Sequence, residues 1–127
     1  MSQPLISFEQ LSVSFAADQG RVRAVQEVSF TIHAGQTIGI VGESGCGKSV
    51  TAMSLMGLLP PQAARIDGGA IRFQGQDLLT LHPAKMADLR GNQLAMIFQE
   101  PLSALNPVLP IGEQLCEPLI RHRGESA

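Results

Sequence analysis

One eight-residue segment limits what this chain can fold into more than any other feature. Residues 42–49 read GESGCGKS and match the pattern GxxxxGK[S/T] in full. The apolar run TIGIV precedes them at residues 37–41, and the mostly apolar KSVTAMSLMGLL follows at residues 48–59. A buried strand, a glycine-rich turn and a helix in this order are typical of a phosphate-binding α/β protein. We therefore predict a parallel core strand over residues 37–41 and a helix over residues 48–59 that ends before Pro60 and Pro61.

The residues of this predicted phosphate loop suit a nucleoside triphosphate with Mg²⁺. Glycines reach backbone conformations closed to other residues, so amide N–H groups can turn towards an anion. Lys48 adds positive charge, the helix dipole adds more, and the Ser49 hydroxyl is a ligand for Mg²⁺. A glycine-rich turn without a ligand would not require Lys-Ser after its last glycine. The cofactor-binding residues that we predict here are Gly42, Glu43, Ser44, Gly45, Cys46, Gly47, Lys48 and Ser49.

Alternating apolar and polar residues predict an antiparallel hairpin near the amino terminus. Leu11, Val13 and Phe15 alternate with serines, residues 28–33 alternate in the same way, and residues 16–20 supply the turn.

Three later segments complete the predicted elements. Residues 71–74 predict a surface strand, and the apolar run LAMIF at residues 94–98 predicts a second buried strand. Apolar residues at 111, 115 and 119 have helical spacing, although Pro118 would kink such a helix.

Composition excludes several classes of protein. The net charge is −2 and the nine Lys and Arg are scattered, so we expect no nucleic-acid partner. The chain has no apolar run of about 18 residues or more and no secretory leader pattern, so we expect it to be neither secreted nor membrane-spanning. Cys46 and Cys116 are predicted to be free thiols; Cys46 is either a redox-sensitive thiol or, as we favour, simply a small residue in the loop. The three histidines lack the spacing of metal ligands.

A second motif separates the classes of protein that share such a loop. Gln99 follows residues 94–98 directly and lies 51 positions after Lys48 (99 − 48). The segment AMIFQEP resembles the Q-loop of ABC ATPases. Together, VGESGCGKSVTAMSLMGLLP and IFQEPLSALNP resemble the ATP-binding subunits of bacterial oligopeptide, dipeptide, glutathione and nickel importers. The resemblance covers nearly the whole chain.

This resemblance implies a fold and a set of site residues. The implied fold is an α/β P-loop NTPase core with an amino-terminal antiparallel β-subdomain, and residues 1–127 would be the amino-terminal part of a single ATP-binding domain, ending at the start of the helical subdomain. In the family the glutamine matched by Gln99 contacts Mg²⁺ and the attacking water, so Gln99 and Lys48 are the implied catalytic residues. Phe15 matches the aromatic that stacks on adenine, although a core phenylalanine is the alternative. Val50 stands where many ABC ATPases carry a threonine that touches the α-phosphate. The implied cofactors are ATP and Mg²⁺, with Ser49 and Gln99 as metal ligands.

The resemblance also implies partners and a location. These are a second ATP-binding subunit arranged head to tail, transmembrane permease subunits and, indirectly, a solute-binding protein, at the cytoplasmic face of the inner membrane. Residues 100–117 resemble the start of the helical subdomain, and their leucines suit either a partner groove or that subdomain's own core. The sequence contains no LSGGQ-type signature, no apolar run ending in Asp-Glu and no following switch histidine. We therefore expect nucleotide binding with negligible turnover by this chain alone, and aggregation through exposed strand edges.

The predicted function is ATP binding as part of an ABC transporter ATPase that couples hydrolysis to import of peptides or related small solutes. The alternative is a stand-alone nucleotide-binding module without hydrolysis, in which Gln99 is only a loop residue. A P-loop kinase or GTPase is disfavoured because the chain has no NKxD-type guanine selector and no arginine lid.

Overall fold

The protein divides into two compact units, which are described separately. The computed structural model describes residues 3–42, 47–98 and 107–123. The units are Met1–Leu81 and His82–Ala127. The first contains β1 (Ile6–Ala17), β2 (Gly20–Ile32), α1 (Lys48–Met56), β3 (Ala64–Phe73), β4 (Gln76–Asp77) and a 3₁₀ helix (Leu78–Thr80), and the second contains α2 (Pro83–Leu89) and α3 (Ile111–Arg123).

An antiparallel sheet forms most of the first unit. Its strand order is β2-β1-β3-β4, and every pairing is antiparallel. Leu11 and Val13 of β1 and Ile71 of β3 are 0% exposed, because the alternation of apolar and polar residues places them on one face. The predicted hairpin is confirmed: β1 and β2 pair as far as Ala17 and Gly20, around a two-residue turn.

An irregularity in the central strand fixes how the sheet is built. Around Gln10, β1 has one residue more than either neighbouring strand, and Gln10 has a φ of 51°. The N–H of Gln10 donates to the Ser29 hydroxyl at 2.8 Å, which replaces a ladder hydrogen bond. On the other side, Gly69 has a φ of 95°, and a Cβ there would lie 2.6 Å from the Glu9 carbonyl oxygen and closer still to that of Gln10.

Helix α1 begins as predicted and ends earlier than predicted. It starts at Lys48 and stops at Met56 rather than at residue 59, because Gly57 adopts a left-handed conformation and its N–H bonds back to the helix. Its buried residues include Thr51 and Ser54, whose hydroxyls donate to carbonyl oxygens four residues earlier, at 2.8 and 2.7 Å. The helix can therefore bury polar side chains without leaving them unpaired.

Two predicted buried strands are wrong for the structure as described. Residues 37–41 form no strand, and Val41 is 91% exposed. Residues 95–98 form none either, and Ile97 is 91% exposed, although Leu94 is buried and makes an isolated bridge to Arg90. A parallel strand needs neighbours for its backbone N–H and C=O groups. All strands in the described ranges belong to the antiparallel sheet, and none pairs with either run.

The second unit is helical. Met86 and Leu94 are buried, and Asp88 of α2 forms an ion pair with Arg121 of α3 at 3.2 Å. The helix predicted from the spacing of residues 111, 115 and 119 is confirmed, and α3 continues through Pro118. Its apolar residues are exposed: Ile111, Leu115, Leu119 and Ile120. Within the described ranges, no helix is long and apolar enough to cross a membrane.

The sheet irregularity predicts a sharp difference between two adjacent glycines. Gly69→Ala should lower the free energy of unfolding by about 2–4 kcal/mol, because its positive φ and the contact with two carbonyl oxygens both oppose a side chain. Gly68→Ala is the matched control, since a Cβ there meets nothing within 4 Å. Urea unfolding of both variants measures the difference, and equal stability of the two would contradict this account of the bulge.

Candidate phosphate-binding site

The structure describes about half of the residues predicted to bind the nucleotide. These are Phe15, Gly42, Gly47, Lys48, Ser49 and Val50. The remaining predicted residues, Glu43, Ser44, Gly45, Cys46 and Gln99, lie outside the described ranges.

The last glycine of the loop packs directly on the sheet. Gly47 has a φ of 95° and a ψ of 6°, in the left-handed region that other residues rarely adopt. A Cβ on Gly47 would lie 2.5 Å from the Ala24 carbonyl oxygen and 3.3 Å from the Val25 side chain. A glycine is therefore needed here for its conformation and for the close approach to β2.

The strand that receives this glycine is bulged at the point of contact. Val25 pairs with Val13 of β1, whereas Arg23 pairs with Ser14, so Ala24 is an extra residue of β2 between two consecutive pairs. Bulges re-aim the backbone locally and often lie beside functional sites. The contact with the loop is thus made by a backbone carbonyl of an irregular strand, whatever the side chain at position 24.

Helix α1 offers its amino terminus directly after this contact. The Thr51 N–H donates to the Gly47 carbonyl at 2.9 Å, which is the first hydrogen bond of the helix. The N–H groups of Lys48, Ser49 and Val50 precede it and have no partner within a helical ladder. Gly47 provides no side-chain cap, and the first turn carries no acidic residue. Amides that the helix itself does not pair, together with the positive end of the helix dipole, favour an anion at this position.

Lys48 joins the two described ends of the loop. Its ammonium group donates a hydrogen bond to the Gly42 carbonyl oxygen. Lys48 and Val50 are half-buried, whereas Ser49 is exposed. A lysine held against the loop backbone, next to a free helix terminus, brings a positive charge to the position where phosphates are expected.

A cavity of about 520 Å³ lies beside this lysine, within the size range of small-molecule sites. Gly47, Lys48 and Thr51 line one end, and the remaining lining comes from β2 and residues 38–41 and is mainly apolar. Among the described residues of the lining, Lys48 supplies the positive charge that favours a phosphate group.

Phe15 lies on the same hairpin as the contact to Gly47. It is half-buried and pairs with Val22 of β2 and with Ala64 of β3. Val22 precedes Ala24 by two residues, which is about 7 Å along a strand. Phe15 is not among the described residues that line the cavity beside Lys48. The structure thus brings the predicted aromatic and the phosphate loop to one region of β2, and it leaves Phe15 partly accessible.

A polar network beside Phe15 was not predicted from the sequence. Ser14 is 2% exposed, and its hydroxyl accepts from the Arg21 guanidinium at 2.9 Å. On the other side of β1, Ser14 pairs with Arg65, which donates a hydrogen bond to Asp67 at 2.6 Å. The Ser14 side chain, followed by the hydrogen bond from Arg65, lowers the pKa of Asp67 from its ordinary value. Asp67 is the extra residue of a bulge in β3, and the alternation of residue types does not predict which side chains a bulge brings together.

The lowered pKa of Asp67 predicts a dependence of stability on acid. A carboxyl whose pKa is lower in the folded state contributes stability above its unfolded pKa of about 3.9, and that contribution is lost as the pH falls through the folded value. Asp67→Asn should therefore destabilise the protein at pH 7, and the difference from wild type should shrink as the pH falls below the unfolded pKa and towards the lowered folded pKa. Thermal unfolding from pH 7 to pH 2 measures this. Ser14→Ala should reduce the pH-dependent difference, because it removes the largest cause of the shift; a difference independent of pH would contradict the assignment.

Phosphate binding should depend on the absence of a side chain at position 47. Gly47→Ala is expected to weaken binding of inorganic tripolyphosphate at least about tenfold, because the strain and the clash with the Ala24 carbonyl displace the loop. Calorimetric titration measures the affinity. Gly39→Ala is the control, since a Cβ at that nearby glycine meets nothing within 4 Å. Wild-type affinity in Gly47→Ala would show that the contact does not hold the loop.

Comparison with known proteins identifies the family. Residues 25–126 match the family model described as ABC transporter. The dipeptide transport ATP-binding protein DppD of Bacillus subtilis is 50% identical over 121 residues, which are 95% of this chain and 36% of that protein. The oligopeptide transport ATP-binding protein OppD of Salmonella typhimurium is 48% identical over 122 residues, 96% of this chain and 36% of that protein.

Solved structures give the same result for the fold. A dimeric ABC transporter cassette superposes with a TM-score of 0.80 at 22% identity, over 96% of this chain and 50% of that chain. A cassette in a post-hydrolysis state with ADP and Pi superposes with a TM-score of 0.77 at 20% identity and the same coverage. This chain therefore spans about half the length of the solved cassettes and 36% of the length of the relatives above. The chain belongs to the ABC transporter family, and its fold, with the antiparallel sheet at the amino terminus, is that of the family's ATP-binding cassettes, as the resemblance predicted.

Proposed function

We propose that this chain provides the ATP-binding part of an ABC transporter ATPase that imports peptides or related small solutes. The observation that carries the proposal is the packing of Gly47 on β2, which sets Lys48 and the free start of α1 at the phosphate loop. The relatives named as dipeptide and oligopeptide transport proteins support the solute class. Residues 1–127 then form part of one ATP-binding domain.

The described residues fit Mg²⁺ and ATP chemically. Because Gly47 has no side chain, the loop can pack against the Ala24 carbonyl of β2, and this packing sets the loop backbone and the start of α1 where amide N–H groups can bind phosphates. Lys48 supplies charge to the β- and γ-phosphates, and the exposed Ser49 hydroxyl is a Mg²⁺ ligand. Bound Mg²⁺ would neutralise phosphate charge during phosphoryl transfer. We assign the remaining loop residues, Val50 and Gln99 to the same site on the resemblance alone.

Phe15 supplies the site for the base in this proposal. It is partly accessible and lies on the hairpin that also holds Gly47, so one sheet would position both ends of the nucleotide. Stacking of an aromatic ring on a base tolerates different bases, and it contributes roughly 1–3 kcal/mol.

Hydrolysis and coupling are assigned to an assembly. The sequence holds no signature motif and no acidic pair after an apolar run, so the carboxylates that would hold Mg²⁺ together with Ser49 and polarise the attacking water are not among its 127 residues. We infer that turnover requires a second ATP-binding subunit arranged head to tail. Permease subunits at the cytoplasmic face of the inner membrane, and indirectly a solute-binding protein, complete the transporter.

The proposal predicts the effect of removing the loop lysine. Lys48→Ala should weaken binding of Mg²⁺–ATP about 10- to 100-fold, because hydrogen bonds to charged groups contribute roughly 1.5–3 kcal/mol. Calorimetric titration of the purified chain measures the affinity. Lys85→Ala is the matched control, because Lys85 is the only other lysine of the sequence and lies on helix α2, outside the phosphate loop.

Phosphate release measured in parallel tests the remainder of the proposal. Binding without release is expected of the chain alone, and release on mixing with its transporter partners supports the ATPase assignment. Binding with no release in the full assembly would favour a stand-alone nucleotide-binding module. Rapid release by the chain alone would contradict the need for a second subunit.

A further inference from the structure

We propose that Ser14, Arg21 and Asp67 form a positioning network that holds Phe15 in place for stacking on the nucleotide base. This inference rests on the proposed function, because it requires Phe15 to contact the base. It adds residues that the sequence motifs do not contain.

Arg21 connects three parts of the sheet. Its Nε donates to the Ser14 hydroxyl at 2.9 Å, and its Nη2 donates to the Ser14 carbonyl oxygen at 3.2 Å. The same Nη2 lies 3.5 Å from the carbonyl oxygen of Ala63, the residue before β3. The planar guanidinium therefore holds β2, β1 and the start of β3 at a fixed separation.

Ser14 lies on β1 with charged residues of both neighbouring strands beside it. On the β2 side, its hydroxyl accepts from Arg21. On the β3 side, Ser14 pairs with Arg65, whose guanidinium donates to Asp67 at 2.6 Å. Ser14 is 2% exposed, so water cannot replace a lost partner cheaply. Strand pairing and charge-assisted hydrogen bonds thus link side chains of three strands.

Phe15 and its partners on the two neighbouring strands each lie next to a residue of this network in the sequence. It follows Ser14 directly and pairs with Val22, which follows Arg21. On its other side it pairs with Ala64, which precedes Arg65. The hairpin ends two residues after Phe15, and strand ends fray readily when no side chain ties them down. Besides the backbone pairing, and among the side-chain interactions that the structure describes, this network ties the end carrying Phe15 to both neighbouring strands.

The network lies at a different part of β2 from the contact with the phosphate loop. Arg21 pairs with Ala16, near the turn, whereas the loop contacts the sheet at Ala24. Loss of the network should therefore affect the base and leave the phosphates largely unaffected. A selective effect on the base distinguishes a positioning role from a general loss of stability, which would weaken the binding of every ligand.

The test compares two ligands that share the phosphate loop. ATP carries a base and inorganic tripolyphosphate does not, so the ratio of their affinities reports on the base contact. Phe15→Ala sets the reference, and its ATP affinity should fall about 5- to 100-fold with tripolyphosphate unchanged. Arg21→Gln and Asp67→Asn should each weaken ATP binding about threefold or more, with tripolyphosphate affinity again unchanged. Both side chains are on the surface, which makes folded variants attainable.

Two further variants sharpen the comparison. Arg23→Gln removes the same charge from the same strand, two residues away, and should leave the affinity ratio at the wild-type value. Arg21→Gln made in the Phe15→Ala background should cause no additional loss of ATP affinity, since no base contact remains to be positioned. Additive losses in the double variant would overturn the inference.

The outcomes distinguish this inference from the proposed function. Equal loss of ATP and tripolyphosphate affinity in Arg21→Gln overturns the positioning role and leaves the proposed function intact. An unchanged ratio in Phe15→Ala overturns the assignment of Phe15, and this inference with it. A folded wild-type chain that binds neither ligand overturns the phosphate site itself.

Discussion

The contact between Gly47 and the Ala24 carbonyl is the constraint on which the site depends. It fixes where α1 begins relative to the antiparallel sheet, and so it fixes the positions of the first free amides and of Lys48. The contact exists because β2 is bulged at Ala24 and because position 47 has no side chain. A single added methyl group would oppose both the backbone conformation and the approach, which gives one glycine of the motif a structural role besides its freedom to bind phosphate.

The two ends of a bound nucleotide would both be held by the amino-terminal hairpin. Val13 and Ser14 of β1 lie between two irregularities, the bulge of β2 that receives the loop and the bulge of β3 that supplies Asp67. Phosphates on one side and a base stacked on Phe15 would couple these regions through one strand. A ligand that binds only the folded state stabilises it, so nucleotide binding would also reinforce the hairpin.

The sequence predicted those features that depend on local patterns. The glycines with Lys48 and Ser49 predicted the loop and the start of the helix, and alternation predicted the hairpin and the buried residues of β1. Prediction from the sequence failed where a strand forms only if a neighbouring strand pairs with it. The runs at residues 37–41 and 94–98 are apolar enough for core strands, but strand formation needs a neighbour, and none pairs with them in the described ranges. The network of Ser14, Arg21 and Asp67 was missed because bulges bring its members together, and the alternation of residue types does not predict which side chains meet across a bulge.

Hydrogen exchange with and without Mg²⁺–ATP tests the central claim most directly, because it reports on the loop and on the hairpin in one measurement. If the loop and hairpin act as one unit, nucleotide should slow exchange at the first turn of α1 and also at residues 13–15 and 22–25. Protection confined to the start of α1, with the hairpin exchanging as it does in the free protein, would contradict the account.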